Sequence, residues 1–367
     1  MNLPVVKRLT SKSALSKARR KLKYEAFVEL NHHMNRFFYK EFSYLTWKGF
    51  NLIAIDGTTL RLPNTEHLIQ HFEPWQPTIP RSHPIARASQ MFDVVNKITI
   101  DAIISPMSRS NQELAADHFV NLLPQDLILM DRGYPSYWLF NLALSMQANF
   151  CARVSSLWTI AREFSNSQKK EKIISLHPTY YSKTKCVERG LDTQPLKLRL
   201  IRVELDTGEA EILITSLLDP KRYPHDIFSE LYHQRWPVEE DYKIMKSRLE
   251  IENFSGKSIL SVYQDFHAKV FSKNLTSILA FPTRKIVKQT SQEKEYEYQI
   301  NFTQALSKMK DAIVLLFNRP NSMVKILLSG LQQIFLQTIE PIRPGRKYVR
   351  ELKVYQKRFR TCYKPIR

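Results

Sequence analysis

Leu52-Ile53-Ala54-Ile55-Asp56-Gly57-Thr58-Thr59 is the stretch that decides how this 367-residue chain folds. Four apolar residues of strand character run without interruption into a carboxylate, and glycine follows. A short continuous apolar run reads as a strand buried on both faces. Such strands belong to sheets covered by helices, where ligands gather outside the strand ends. Leu127-Ile128-Leu129-Met130-Asp131-Arg132-Gly133-Tyr134 repeats the grammar, its acid 75 residues after the first. The chain has only 8 glycines, so two of them close behind these acids carry meaning. They let backbone approach an ion or a phosphate. Taken singly, each Asp also fits a turn that its own side chain caps.

The surrounding pattern predicts an α/β fold. Residues 89–104 read as a hairpin turning at Asn96-Lys97. Residues 113–123 read as a helix leading to the strand that ends at Asp131. Pro135 opens a second helical segment with Trp138, Leu139, Leu142 and Leu144, and residues 150–154 supply another strand. Between about 155 and 222 polar loops and alternating runs at 196–205 and 210–217 predict a β-rich insertion. Helices are expected at 258–280, 303–318 and 322–337, with the charged segment 284–298 as a linker.

Farther on, Tyr232-His-Gln-Arg235-Trp236-Pro237-Val-Glu239 leads to Lys246. Its Tyr, Arg, Glu and Lys fall at offsets 0, 3, 7 and 14, within a sector of roughly 60° on an ideal helix. Glu and Lys at such spacings most often form a solvated, salt-bridged face. A carboxylate flanked by two cations and a phenol is also a recipe for a phosphodiester beside a metal ion. Arg offers a planar fork to phosphate and Lys a mobile charge. Pro237 is welcome only in a first turn, so the helix either begins near Trp236 or kinks there. A lone Trp on an amphipathic helix is more often core, which leaves Trp236 outside the site.

Three carboxylates on separate elements suit divalent metal, since Mg²⁺ prefers oxygen ligands. Two ions about 3.5–4 Å apart can activate an attacking oxygen and stabilise a leaving one. A net charge of +20 favours a polyanionic partner. Residues 7–23 hold eight Lys or Arg and no acid, and residues 343–367 hold ten against the single Glu351. Both ends can lie along DNA or serve as solvated tails. Residues 13–31 have helical periodicity, which favours a small DNA-binding module packed on the core. Cys151, Cys186 and Cys362 lack zinc spacing and suit a reducing cytoplasm. No apolar run is long enough for a membrane span, and no Gly-rich phosphate loop occurs.

The Asp56-Gly-Thr-Thr block, the Asp131-Arg-Gly-Tyr block and the Tyr232/Arg235/Glu239/Lys246 signature resemble the DDE transposases of bacterial insertion sequences, in the subgroup with the Tyr-Arg-Glu-Lys motif. The blocks occur in order, the acids separated by 75 and 108 residues, and the resemblance extends from about residue 10 to about 280. It implies an RNase H-like catalytic core, a mixed sheet flanked by helices, over 49–154 and 221–282. A basic helical DNA-binding segment at 1–48, a β-rich insertion at 155–220 and a helical, basic region at 283–367 complete the expected organisation. Asp56, Asp131 and Glu239 would be both catalytic residues and ligands of two Mg²⁺ or Mn²⁺ ions. Tyr232, Arg235 and Lys246 would grip phosphates at the DNA end.

The same resemblance implies double-stranded DNA partners, namely terminal inverted repeats and target. It further implies a homodimer in the synaptic complex and a cytoplasmic, nucleoid-associated location. Relatives often cut through a hairpin intermediate, using an aromatic in the insertion that has no assigned counterpart here. Trp158 is the only Trp in that segment. An RNase H-like nuclease that cuts without joining, and a non-catalytic DNA-binding remnant, stand as the alternatives.

Overall fold

The computed structural model describes residues 11–73, 83–204, 209–318 and 320–343. The N-terminal basic run begins, and nearly all of the C-terminal one lies, outside them. Eight strands form one sheet: β1 Asn51–Arg61, β2 Ile85–Asp93, β3 Ile98–Ser105, β4 Asp126–Met130, β5 Asn149–Arg153, β6 Glu171–Leu176, β7 Leu196–Glu204 and β8 Ala210–Thr215. Their order is β3-β2-β1-β4-β5-β8-β7-β6. β1, β4 and β5 are parallel, and every other pairing is antiparallel. This mixed sheet flanked by helices is the α/β architecture expected from the sequence.

Alternation along the central strands explains why the sheet is covered on both sides. Leu52, Ala54, Leu127 and Leu129 face one core with Phe228, Leu231, Val238, Met245 and Phe266. Ile53, Ile55, Ile128 and Met130 face a second with Phe119, Leu139, Phe140 and Phe150. A helix at Asn111–His118 opens with a reciprocal Ser110–Glu113 cap, and the hairpin turns at Lys97, whose φ is 57°. Residues 171–215 contribute three strands that extend the same sheet beyond β5.

Two expected boundaries moved, both through tertiary contacts. The helix expected to stop at 280 runs as Ile259–Thr290 with Pro282 inside it. Pro282 removes one backbone hydrogen bond. Beyond it Thr283 and Val287 are buried, and Arg284 donates to Asn96 O at 2.6 Å and Ser277 Oγ at 2.8 Å. The N-terminal periodic segment forms two helices, Lys12–Arg19 and Glu25–Glu41. Arg19 docks the first on the long helix through Gln264 at 2.8 Å and Asp265 at 2.7 Å.

Candidate active site

Strand register brings the first two acids together. β1 and β4 run in parallel with Ile55 opposite Met130, where β4 ends. Asp131 therefore leaves the sheet beside Asp56, where neighbouring strands lie ~5 Å apart. By alternation Asp56 follows Leu52 and Ala54, and Asp131 follows Leu127 and Leu129, toward the same face. The apolar run suggested that β1 would end at its acid, yet it continues against β2 to Arg61. The acids thus sit where one neighbour of β1 stops and the other goes on.

Glycine donors aim both carboxylates. The Gly57 N–H donates to Asp56 Oδ1 at 2.8 Å, and the Gly133 N–H to Asp131 Oδ1 at 2.9 Å. A Cβ at position 133 would lie 3.2 Å from Asp131 Oδ1, and one at 57 would lie 3.1 Å from Asn111 Oδ1.

Glu239 arrives on the helix Pro237–Ser247, with proline in its first turn, where its missing N–H costs nothing. Pro237 divides the single face read from the offsets. Tyr232 lies on a separate helix, Ile227–His233, and a tight turn through Arg235 links the two. Three anchors fix the Glu239 helix. The Tyr242 hydroxyl donates to Asp56 O at 2.9 Å. Lys246 Nζ donates to Thr58 Oγ1 at 2.7 Å and Thr59 O at 3.0 Å. Buried Lys273, on the long helix, meets Asp241 Oδ2 at 2.6 Å and β3 through Thr99 Oγ1 at 2.6 Å.

Charge is concentrated around Asp56. Burial pushes its carboxyl up to about 6, the Gly57 N–H and Arg235 oppose this, and Asp131 and Glu239 reinforce it. All three acids therefore act within one electrostatic neighbourhood. Arg235 is buried, its Nη2 donates to Glu239 Oε1 at 2.7 Å, and its guanidinium lies 5.7 Å from the Tyr232 ring centroid. Burial works against the Arg235 charge, but Glu239, Tyr232 and Asp56 outweigh it and leave the guanidinium above its ordinary value. Burial lowers Lys246 despite the nearby Glu252.

Tyr232, expected at a phosphate, is buried in the core against Arg235. Trp236, read as core, is 47% exposed. Among the described residues no three His, Cys, Asp or Glu side chains are gathered closely enough to hold one ion. The all-oxygen donor set of Asp56, Asp131 and Glu239 is nonetheless the chemistry that Mg²⁺ and Mn²⁺ take.

Sequence reading missed Tyr242 and the Asp241–Lys273 pair, since neither stands out by spacing. It also missed a chain of Ser89 Oγ, His118 and Asp101, with His118 Nε2 3.0 Å from the serine and Nδ1 2.7 Å from the aspartate. All three are buried and His118 is wholly inaccessible, so this is a structural network joining β2, β3 and the Asn111–His118 helix.

The model of the transposase DDE domain family matches residues 47–275. Transposase InsG for insertion sequence element IS4, from Escherichia coli (strain K12), is 25% identical over 260 residues, which are 70% of this chain and 58% of that protein. The chain thus spans less than two thirds of this relative's length. Among solved structures, a cryo-EM structure of the piggyBac transposase synaptic complex with hairpin DNA covers 81% of this chain and 59% of its own, at 11% identity and a TM-score of 0.42. With well over half of its residues matched by the family model, the chain belongs to the transposases that carry a DDE domain.

Proposed function

We propose that this protein cleaves the ends of a mobile DNA element and joins the freed 3′ ends to target DNA, with Asp56, Asp131 and Glu239 as its catalytic acids. The observation that carries the reading is the junction of the blocks. Asp56 and Asp131 share a sheet face by register, and the Glu239 helix is tied to Asp56 and Thr58 by direct hydrogen bonds. In the first reaction a water oxygen forms a bond to phosphorus and the 3′ oxygen departs, taking up a proton. In the second that 3′ hydroxyl attacks a target phosphodiester and a target 3′ oxygen leaves.

Divalent Mg²⁺ or Mn²⁺, bound as a pair by the three acids, would lower the pKa of the attacking hydroxyl and neutralise charge on the leaving oxygen. The chain's own cations orient the DNA. Arg235 presents its fork to phosphate, held from behind by the Tyr232 ring, and Lys246 supplies a point charge at the edge of β1. The N-terminal helices and the basic C-terminal region would extend the DNA contact. Two copies would bridge the two ends of the element, and the chain would fall in the Tyr-Arg-Glu-Lys subgroup. A hairpin intermediate belongs to this proposal without an assigned aromatic.

Asp56→Asn, Asp131→Asn and Glu239→Gln each test the reading. Each should reduce cleavage of an end-containing fragment in Mg²⁺ by roughly a thousandfold or more, while fragment binding stays within about threefold. Substantial cleavage by any of the three rules out the assignment. Adding a target plasmid separates a transposase, which yields joined product, from a nuclease that only cuts.

A further inference from the structure

The helix that carries Glu239 presents Tyr242 one turn later, and residues three apart on a helix are neighbours on its surface. The Tyr242 ring is buried in the core beneath the sheet, and its hydroxyl donates to the Asp56 carbonyl oxygen at 2.9 Å. That bond ends on the backbone of the first acid, at the point where β4 has stopped and β1 has lost one neighbour. It begins on the helix of the third acid. A single O–H···O contact thus joins the element of Asp56 directly to the element of Glu239.

We propose that Tyr242 is a positioning residue of the active site, its hydroxyl fixing the Glu239 helix against the Asp56 backbone so that both carboxylates serve the same divalent-metal centre. The inference rests on the proposed function, because it presupposes that the two acids bind metal together. Packing alone does not account for the phenol, since a phenylalanine fills the same apolar space. Two other anchors remain when the hydroxyl is lost: Asp241 on Lys273, and Lys246 on Thr58 and Thr59. The helix therefore stays attached and shifts only locally. Metal affinity is the property that registers such a shift, because ligand geometry changes while fold and DNA-binding cations stay in place.

The test is Mn²⁺ titration of the full chain, followed by electron paramagnetic resonance, for wild type, Tyr242→Phe, Asp56→Asn and Tyr263→Phe. Tyr263→Phe is the comparator, because it removes a hydroxyl 3.2 Å from His71 Nε2 on the same side of the sheet, away from the acids. Tyr242→Phe is expected to raise the Mn²⁺ dissociation constant about three- to tenfold, the size of one lost hydrogen bond. End-fragment affinity and circular dichroism should stay as in wild type. Its cleavage should need correspondingly more Mg²⁺ and approach the wild-type rate at saturation. Tyr263→Phe should bind Mn²⁺ normally, and Asp56→Asn should lose at least tenfold.

Wild-type Mn²⁺ affinity in Tyr242→Phe, with Asp56→Asn impaired, overturns the positioning role and leaves the metal site standing. Mn²⁺ binding that ignores Asp56→Asn overturns the metal-site reading and this inference together. Loss of helical structure in Tyr242→Phe also overturns it, since the phenol would then serve folding.

Discussion

Lys246 Nζ lies 2.7 Å from Thr58 Oγ1, joining two residues 188 positions apart. Thr58 follows the first acid and Lys246 closes the last motif, so two blocks read separately along the sequence are one structure in space. The lysine is partly exposed, and its hydrogen-bond partners are a hydroxyl and a carbonyl rather than a carboxylate. Those contacts leave its charge unneutralised, and under the proposed function that charge meets a phosphate.

Lys246→Ala should weaken binding of an end-containing duplex about tenfold at low salt. It should also reduce the slope of log affinity against log salt by about one. Fluorescence anisotropy across a salt series measures both. An unchanged slope would mean that Lys246 serves the Thr58 contact and no phosphate.

Arg235 and Glu239 form a charge-assisted pair at 2.7 Å, with the guanidinium buried and the carboxylate side chain 27% exposed. Removing the arginine strands a partly hydrated acid, and removing the acid strands a buried cation. Each of Arg235→Gln and Glu239→Gln should cost about 1–3 kcal/mol in metal-free urea unfolding. The double variant should cost about 1 kcal/mol less than the sum, because the pair is broken only once. Strict additivity would show that the two side chains do not interact in solution. Arg235→Lys should bind DNA ends more weakly than wild type, since an ammonium cannot reproduce the planar fork.

Asp56 gives a pH dependence whose sign follows from its raised value. Its folded-state pKa of about 6 exceeds the ordinary 3.8, so the folded chain holds a proton that the unfolded chain has released. Asp56 therefore contributes its full stability below pH ~4 and loses it as pH rises through about 6, a change on the order of 3 kcal/mol. In metal-free buffer Asp56→Asn should unfold at higher temperature than wild type at pH 7.5, and the gap should close toward pH 4. Mg²⁺ should raise the melting temperature of wild type at pH 7.5 but not that of Asp56→Asn. A gap independent of pH would contradict the burial argument.

Asp56 in β1 and Asp131 just past β4 were legible because a buried strand writes itself as an apolar run, and a polar residue closing such a run beside glycine marks a site. Register was not legible. Nothing local states that Ile55 lies opposite Met130, although the site depends on it. Pro237 announced a break near Trp236, which the structure resolves into two helices. Tyr232 consequently backs Arg235 from the core instead of sharing a face with Glu239. Tyr242 and Asp241 carry no local signal in the sequence. Their partners, Asp56 and Lys273, lie 186 and 32 residues away, beyond any periodicity.

The two glycines behind the acids make a steric prediction that separates site geometry from stability. At Gly133 an added Cβ meets Asp131 Oδ1 at 3.2 Å, tighter than ordinary contact, and that oxygen already accepts the Gly133 N–H at 2.9 Å. The carboxylate must give by a few tenths of an ångström, which disturbs the hydrogen bond that aims it. Gly133→Ala should therefore lower cleavage about tenfold or more while melting temperature and end binding hold. At Gly57 the clash falls on Asn111 Oδ1 at 3.1 Å, which also receives Arg87 at 2.6 Å, so Gly57→Ala should disturb that pair first and cut activity less. Gly330 lies in the helix Asn321–Gln337 with nothing within 4 Å of an added Cβ. Gly330→Ala should leave cleavage unchanged and stabilise the chain by about 0.5–1 kcal/mol through helix propensity and reduced unfolded-state entropy. Parallel cleavage and thermal-melt measurements on the three variants decide the matter. Equal activity in Gly133→Ala and Gly330→Ala would show that the orientation of Asp131 does not limit the reaction.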